Sequence, residues 1–257
     1  MSNTPLVSIL MNCYNGEKYI HAAITSVIDQ TYQNWELLLW DNISSDKSKE
    51  IFESFEDSRL KYFLAKSHTN LGEARNLLLK KSKGKFIAFL DCDDLYFKDK
   101  ISKQVAFMKV ENLLMSYGSA EIINSNGGFV RVFRTKNKSG YIFGSLLMKY
   151  EINMQTVMLD EKLLVNDWCN FDSSLKYSPD HDLFMQVASR FPVGVIEDVL
   201  VKYRVHNRSS SMKMLKIVSE NNNKTFDKIL SENPKLLNTY SKEVSYAYKK
   251  GNYFDAI

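Results

Sequence analysis

The 257 residues carry 34 basic and 30 acidic side chains, a net charge of +4, with 44% hydrophobic and 12% aromatic content; this excludes a disordered polyelectrolyte, and so mild a charge does not call for nucleic acid as a partner. The length allows one large domain, or one domain with an appendage, around a sizeable core, and no apolar run approaches the roughly 20 residues of a membrane span. With no cationic start and apolar stretch marking a secretory signal, and with Cys13, Cys92 and Cys169 far apart at neither metal-ligand nor redox spacing, the expected setting is a soluble protein in a reducing cytoplasm.

The first hundred residues alternate short apolar runs with amphipathic segments. Val7 to Met11 reads as a strand leading into the turn-forming cluster Asn12-Cys13-Tyr14-Asn15-Gly16. Ile20, Ala23, Ile24, Val27 and Ile28 share one helical face. Trp35 to Trp40 is the second strand and ends at Asp41-Asn42-Ile43-Ser44-Ser45-Asp46; a short helix around Ile51, Phe52 and Phe55 and a third strand over Leu60 to Ala65 follow. Asn70 opens a helix carrying Leu71, Ala74, Leu77 and Leu78, with Gly84 as its stop signal, and Lys85 to Leu90 is the fourth strand. Such a succession predicts right-handed crossovers and a mostly parallel sheet with helices on both faces. Ligands of such sheets bind beyond the carboxyl ends of the strands, which brings the clusters 12–15, 41–46 and 91–94 to one rim.

From about residue 114 the pattern is mixed, with strands over Phe129 to Arg134 and Val193 to Arg204 and a helix over His181 to Ser189. Residues 212 to 250 read as two helices broken at Pro234, and residues 212–257 hold eight lysines against five acidic side chains. That excess suits a solvated face or loose contact with an anionic membrane surface.

Asp91-Cys92-Asp93-Asp94 is the run with the most chemistry in it. Like charges two residues apart push each other toward protonation, and a hard divalent cation between them relieves that cost. The bland alternative is an acidic turn, with Asp94 capping the next helix.

Taken together, Val7-Ser8-Ile9 with Tyr14-Asn15-Gly16, Gln30 to Leu37, Asp41-Asn42 with Ser44 and Asp46, Asn70-Leu71-Gly72 with Arg75-Asn76, and Gly84-Lys85 before Asp91 to Asp94 resemble the opening of glycosyltransferase family 2. Pro179 to Phe184 and Tyr203-Arg204-Val205-His206 resemble its later motifs, so the likeness spans roughly residues 5 to 211. It implies an α/β protein of the GT-A fold, a Rossmann-like sheet flanked by helices with a C-terminal helical extension. The implied division is a transferase domain over 1–211, its nucleotide-binding half 1–95 and acceptor half 96–211, with the extension over 212–257.

The implied activity is inverting transfer from a nucleotide-diphosphate sugar, a UDP-hexose or UDP-N-acetylhexosamine, to a glycan or lipid-linked acceptor in bacterial surface polysaccharide synthesis, with Mn2+ or Mg2+ as cofactor. A sugar nucleotidyltransferase is the competing enzyme class, but it needs a Gly-rich phosphate loop after the first strand, where this chain has only Gly16. A non-catalytic nucleotide- or carbohydrate-binding module is the remaining alternative, which the intact Asp91, Asp93 and Asp180 oppose.

The resemblance assigns nucleotide contacts to Cys13, Tyr14, Asn15, Asp41, Asn42, Arg75, Asp91 and Cys92. Tyr14 would stack on the base or pack at its turn; Asp41 would meet base or ribose or end its strand. Asn42 stands where family members often carry aspartate, which leaves the base open. Arg75 suits a diphosphate or the site's carboxylates, or a surface ion pair. Asp93 is the expected direct metal ligand, with Asp91 nearby, and His206 is either a further ligand or a structural loop histidine. Asp180 aligns with the family's catalytic base, although Pro179 replaces the acidic residue that usually precedes it; Asp182 is the runner-up, or faces away as a helix cap. His181 would lie behind the base or toward the acceptor, and Ser209, Ser210 and Ser211 would line a mobile loop over the donor.

Overall fold

The structure, a computed structural model, describes residues 4–165, 170–175, 178–206 and 215–255. The amino-terminal part forms β1 (Val7–Cys13), α1 (Ile20–Ile28), β2 (Trp35–Asp41), α2 (Ser48–Glu53), β3 (Leu60–Leu64), α3 (Leu71–Leu79) and β4 (Phe86–Phe89). These strands pair in parallel in the order β3-β2-β1-β4, with Val7 opposite both Trp35 and Phe86. Strands 1, 2 and 4 are apolar almost without interruption because both faces are covered. Alternate residues serve two separate cores: Leu10, Leu38, Ile87 and Phe89 enter one, and Ile9, Leu37, Leu39 and Ala88 the other.

Asn70 caps α3 as its sequence predicts, its side chain accepting from the Glu73 N–H at 2.9 Å. Gly84 does not end that helix, which stops at Leu79. It lies against β1, where a Cβ would stand 2.4 Å from the Ser8 backbone nitrogen. Close backbone approach, not helix termination, requires a glycine there.

The rest of the chain forms β5 (Leu95–Tyr96), α4 (Lys100–Glu111), β6 (Met115–Ile123), β7 (Phe129–Phe133), α5 (Phe143–Met148), a single 3-10 turn over Met154–Thr156, β8 (Met158–Asp160), α6 (Lys162–Val165), α7 (Pro179–Arg190), β9 (Gly194–Arg204), α8 (Leu215–Glu232), α9 (Lys235–Thr239) and α10 (Ser241–Asp255). The sheet continues from β4 as β8-β6-β9-β5, with β7 paired to β6 outside that path. The first four strands are parallel as the periodicity predicts. Beyond them β8 and β5 enter antiparallel, as does β7, while β6 and β9 pair in parallel.

The break at Pro234 is present between α8 and α9, and a second break at Tyr240 makes three helices of the expected two. Phe226, Ile229, Val244 and Ala247 join the core that holds Phe89 and Phe184, so these helices share the sheet's packing. Cys169 and Ser209 to Ser211 lie outside the described residues.

Candidate active site

The carboxyl ends of β1, β2 and β4 lie side by side, and the loops after β1 and β2 are stitched together. The Asn15 N–H donates to Ser44 Oγ at 2.9 Å and the Gly16 N–H to Ser48 Oγ at 2.8 Å. Asn15 Oδ1 accepts from the Ser45 N–H at 2.9 Å. Asn15 and Ile43 both have left-handed backbone, φ 53° and 65°; for a β-branched residue such as Ile43 this is strained, and strain of this kind gathers at sites.

Asp41 is buried, with one carboxylate oxygen on the Ser44 N–H at 2.7 Å and the other on the Tyr62 hydroxyl. Asn42 is held at both ends by Thr69: its Nδ2 donates to the Thr69 carbonyl at 2.8 Å, and its Oδ1 accepts from the Thr69 N–H at 2.8 Å and hydroxyl at 2.9 Å. The amide therefore fixes the 65–70 loop. Tyr14 is 56% exposed, its ring edge-on to His68 at 5.2 Å, so its outer face is open to a planar ligand.

Cys13 and Cys92, 79 positions apart in sequence, meet here with Cys92 donating to Cys13, which holds the Cys13 thiol below its ordinary range and raises that of Cys92. Both are free thiols. Sequence distance hid this pair. Gly16 is required beside them, since a Cβ would stand 2.8 and 2.9 Å from the two sulfurs.

Asp91 to Asp94 extend from β4. Asp91 Oδ2 accepts from Gln155 Nε2 at 2.7 Å, and the Asp91 N–H donates back to Gln155 Oε1 at 3.1 Å. Although 35% of its side chain is exposed, crowding by protein atoms raises its pKa; Arg75 opposes that shift and Asp93 adds to it. Asp93 Oδ2 lies 2.8 Å from His206 Nε2. Asp94 does not cap α4, whose first turn has no side-chain cap. It is buried, accepts the Arg204 N–H at 2.7 Å and has no partner for its other oxygen among the described residues, and burial raises its pKa strongly. The end of β9 needs that acceptor, so Asp94 is claimed by the sheet.

Across the rim, α7 begins at Pro179 with Ser178 in left-handed backbone, which places Asp180 in its first turn. Arg75 lies between the two halves with its side chain 4% exposed, one NH2 3.8 Å from Asp91 Oδ1 and one NH1 4.0 Å from Asp180 Oδ1. Its Nε and NH1 have no hydrogen-bond partner among the described residues, which leaves donors for an anion. Asp182 turns away into the helices: it accepts from Gln186 at 2.6 Å and from Thr225 at 3.0 Å. His181 is buried between Tyr150, 4.6 Å between ring centroids, and Phe226, 5.8 Å, and burial lowers its pKa to about 4. It is a neutral core side chain, not an acceptor contact.

The sequence reading missed Gln155, His68, Thr69 and Arg204. Arg204 donates from Nε to the Asp93 carbonyl at 2.8 Å and lies over the Tyr19 ring, 4.5 Å from its centroid. Only Arg204 stood within a motif; the others gave no local signal.

Among the described residues no group of three or more His, Cys, Asp or Glu has the geometry of a metal site. Asp93 and His206 offer two adjacent ligands of a kind that suits manganese, and the raised carboxylates around them favour a cation. That fits an ion completed by phosphate oxygens and water.

Known proteins identify the family. The family model for glycosyl transferase family 2 matches residues 8–161, and the chain belongs to that family. It is 37% identical over 213 residues, 82% of this chain and 81% of the relative, to the UDP-Glc:alpha-D-GlcNAc-diphosphoundecaprenol beta-1,3-glucosyltransferase WfgD of Escherichia coli. Staphylococcus aureus TarS 1-349 in complex with UDP-GlcNAc superposes with a TM-score of 0.69 at 19% identity, over 83% of this chain and 65% of that one. The mannosyltransferase PcManGT of Pyrobaculum calidifontis, in complex with GDP-Man and Mn2+, gives 0.68 at 14% identity over 99% and 75%. The protein is a glycosyltransferase of the GT-A fold.

Proposed function

We propose that the protein is a metal-dependent inverting transferase that moves a hexose or N-acetylhexosamine from its UDP derivative to a hydroxyl of a lipid-linked glycan in surface polysaccharide synthesis. The observation that carries this reading is the bridge of Arg75 between Asp91, on the donor side, and Asp180, on the opposite wall. It supports one site with two functions. The likeness to WfgD, whose name specifies a UDP-glucose donor and a diphosphoundecaprenol-linked acceptor, supports the substrate classes.

Tyr14 offers its open face to the base while Asp41 and Asn42 hold the loops around it, with Asn15, Cys13 and Cys92 packed beneath. Asp91, kept in place by Gln155, faces the ribose and diphosphate, and Arg75 supplies donors to the phosphates. A divalent cation held by Asp93 and His206 would offset the charge that develops on the departing diphosphate. Asp180 takes the proton of the acceptor hydroxyl as its oxygen attacks the anomeric carbon. With Asp182 committed to Gln186 and Thr225, Asp180 is the carboxylate free to act as base.

Calorimetric titration with a panel of nucleoside diphosphates, with manganese and then with chelator, tests the donor half. UDP is expected to bind in preference and to lose affinity on chelation; equal binding of all bases, or indifference to chelator, overturns it. Asp180→Asn tests the other half, with kcat expected to fall roughly 100- to 10,000-fold and UDP affinity unchanged. Transfer at the wild-type rate would remove Asp180 from the mechanism.

A further inference from the structure

Residues 122 to 150 contain Arg131, Arg134, Lys136, Lys138 and Lys149 and no acidic side chain. This short stretch carries a charge of +5 and so exceeds the net charge of the whole chain, +4. Lys138 pairs with Glu197. Arg131, Arg134, Lys136 and Lys149 are exposed and make no ion pair among the described residues.

Apolar side chains are exposed with them. Phe129 is 64% and Val130 53% exposed, on a strand that pairs with β6 alone among the described strands and so has an open edge. The register slips between Ile122 and Ile123, with Phe129 and Arg131 as the paired residues and Val130 between them. The bulge sets two adjacent apolar residues at the tip of a basic strand.

Both ends of β7 are tied to the walls of the site. At its start the Asn124 carbonyl accepts from Arg204 NH1 at 3.2 Å, and Arg204 in turn holds the Asp93 carbonyl. At its end Glu151 Oε1 accepts from the Thr135 hydroxyl and from the N–H groups of Lys136 and Asn137, at 2.6, 2.7 and 2.8 Å. The neighbouring Tyr150 packs on His181, beside Asp180. The segment that carries β7 is thus linked through Arg204 to Asp93 at one end, and through Glu151 and its neighbour Tyr150 to the start of α7, which holds Asp180, at the other.

From this we infer that β7 and the loop after it, with Phe129, Val130, Arg131, Arg134 and Lys136, form the face that settles on an anionic lipid bilayer. The inference rests on the lipid-linked acceptor reading above, and gives that acceptor a route to Asp180 along the membrane surface. Charge complementarity selects the occupant. A second copy pairing edge to edge would bring two sets of unpaired cations together, and cations on an edge strand oppose such pairing. A bilayer with anionic headgroups attracts them, while Phe129 and Val130 can enter its interfacial region.

The C-terminal helices are the weaker candidate. Their charges are mixed, and Lys228 faces Asp182 while Glu232 pairs with Arg190.

The test is vesicle co-sedimentation of the full chain at about 0.15 M salt, with phosphatidylcholine alone and with phosphatidylcholine containing phosphatidylglycerol. Binding is expected only to the anionic vesicles. The triple variant Arg131→Gln, Arg134→Gln, Lys136→Gln is expected to bind them roughly a hundredfold more weakly, at about fivefold per basic side chain. Phe129→Ser with Val130→Ser is expected to weaken binding roughly tenfold, and Lys235→Gln with Lys242→Gln and Lys249→Gln less than about twofold. Manganese-dependent UDP binding serves as the folding control and should be unchanged in every variant.

Wild-type protein that ignores anionic vesicles, a β7 triple variant that binds as tightly as wild type, or loss confined to the C-terminal variant overturns the inference. So does a dimer that the β7 variants break without any vesicle binding. If UDP binds while vesicles do not, the surface fails and the donor reading stands; vesicle binding without UDP binding has the opposite meaning.

Discussion

His181 is buried between Tyr150 and Phe226 with no partner for Nδ1 among the described residues, and burial lowers its pKa from 6.5 to about 4. Between these values the unfolded chain binds a proton that the folded protein refuses, so stability is full above pH 6.5 and falls as the pH drops toward 4. The shift of about 2.5 pKa units corresponds to about 3 kcal/mol in total, of which about 2 kcal/mol is lost by pH 5. Asp91, Asp94 and Asp182 have raised pKa values and act in the opposite direction, so the effect of His181 has to be isolated by difference. His181→Phe, which suits an aromatic pocket and cannot titrate, provides the reference. Urea unfolding at pH 7.5, 6.5, 5.5 and 5.0 should show wild type losing about 2 kcal/mol more than the variant over that range. Equal pH dependence in the two proteins would refute the argument and mean that His181 is protonated in the folded state or is solvated there.

Gln155→Leu removes the donor at 2.7 Å from Asp91; a lost bond to a charged group costs about 1.5–3 kcal/mol, so kcat/KM should fall roughly 10- to 150-fold, with the acid limb of the pH profile moved to higher pH, and an unchanged profile would count against the role of Gln155. Gly16→Ala forces a methyl group against Cys13 and Cys92; thermal unfolding should report a loss of about 1–3 kcal/mol, relieved when both cysteines are alanine, and persistence of the loss in that background would place the strain elsewhere. Lys100 is fully buried, its Nζ having no partner among the described residues except the Tyr96 ring at 4.3 Å, and burial lowers its pKa strongly. Its folded form therefore refuses a proton that the unfolded chain holds, stability rises with pH toward 10.5, and Lys100→Met should stabilise the protein at pH 7 by about 2 kcal/mol and remove that slope in urea unfolding.

The sequence by itself determined the parallel half of the sheet and the rim. Strand and helix periods are properties of neighbouring residues, so Val7 to Met11, Trp35 to Trp40 and Lys85 to Leu90 were legible as strands from their mostly apolar character, and the structure has strands over Val7–Cys13, Trp35–Asp41 and Phe86–Phe89. The polar clusters that follow them then had to share an edge. The mixed half was far less legible, because β8 is three residues and β5 two, and such short pieces become strands only when a partner supplies their hydrogen bonds. The tertiary structure alone decided which polar atoms meet. Gln155 reaches Asp91 across 64 positions, His206 reaches Asp93 across 113, and Arg204 takes the acceptor that local rules had given to a helix cap at Asp94. It also separated Asp180 from Asp182: two residues apart on a helix they face different ways, one toward Arg75 and the other into α8. Local sequence fixes the period of each element; which faces are brought together depends on packing between segments that no local pattern connects.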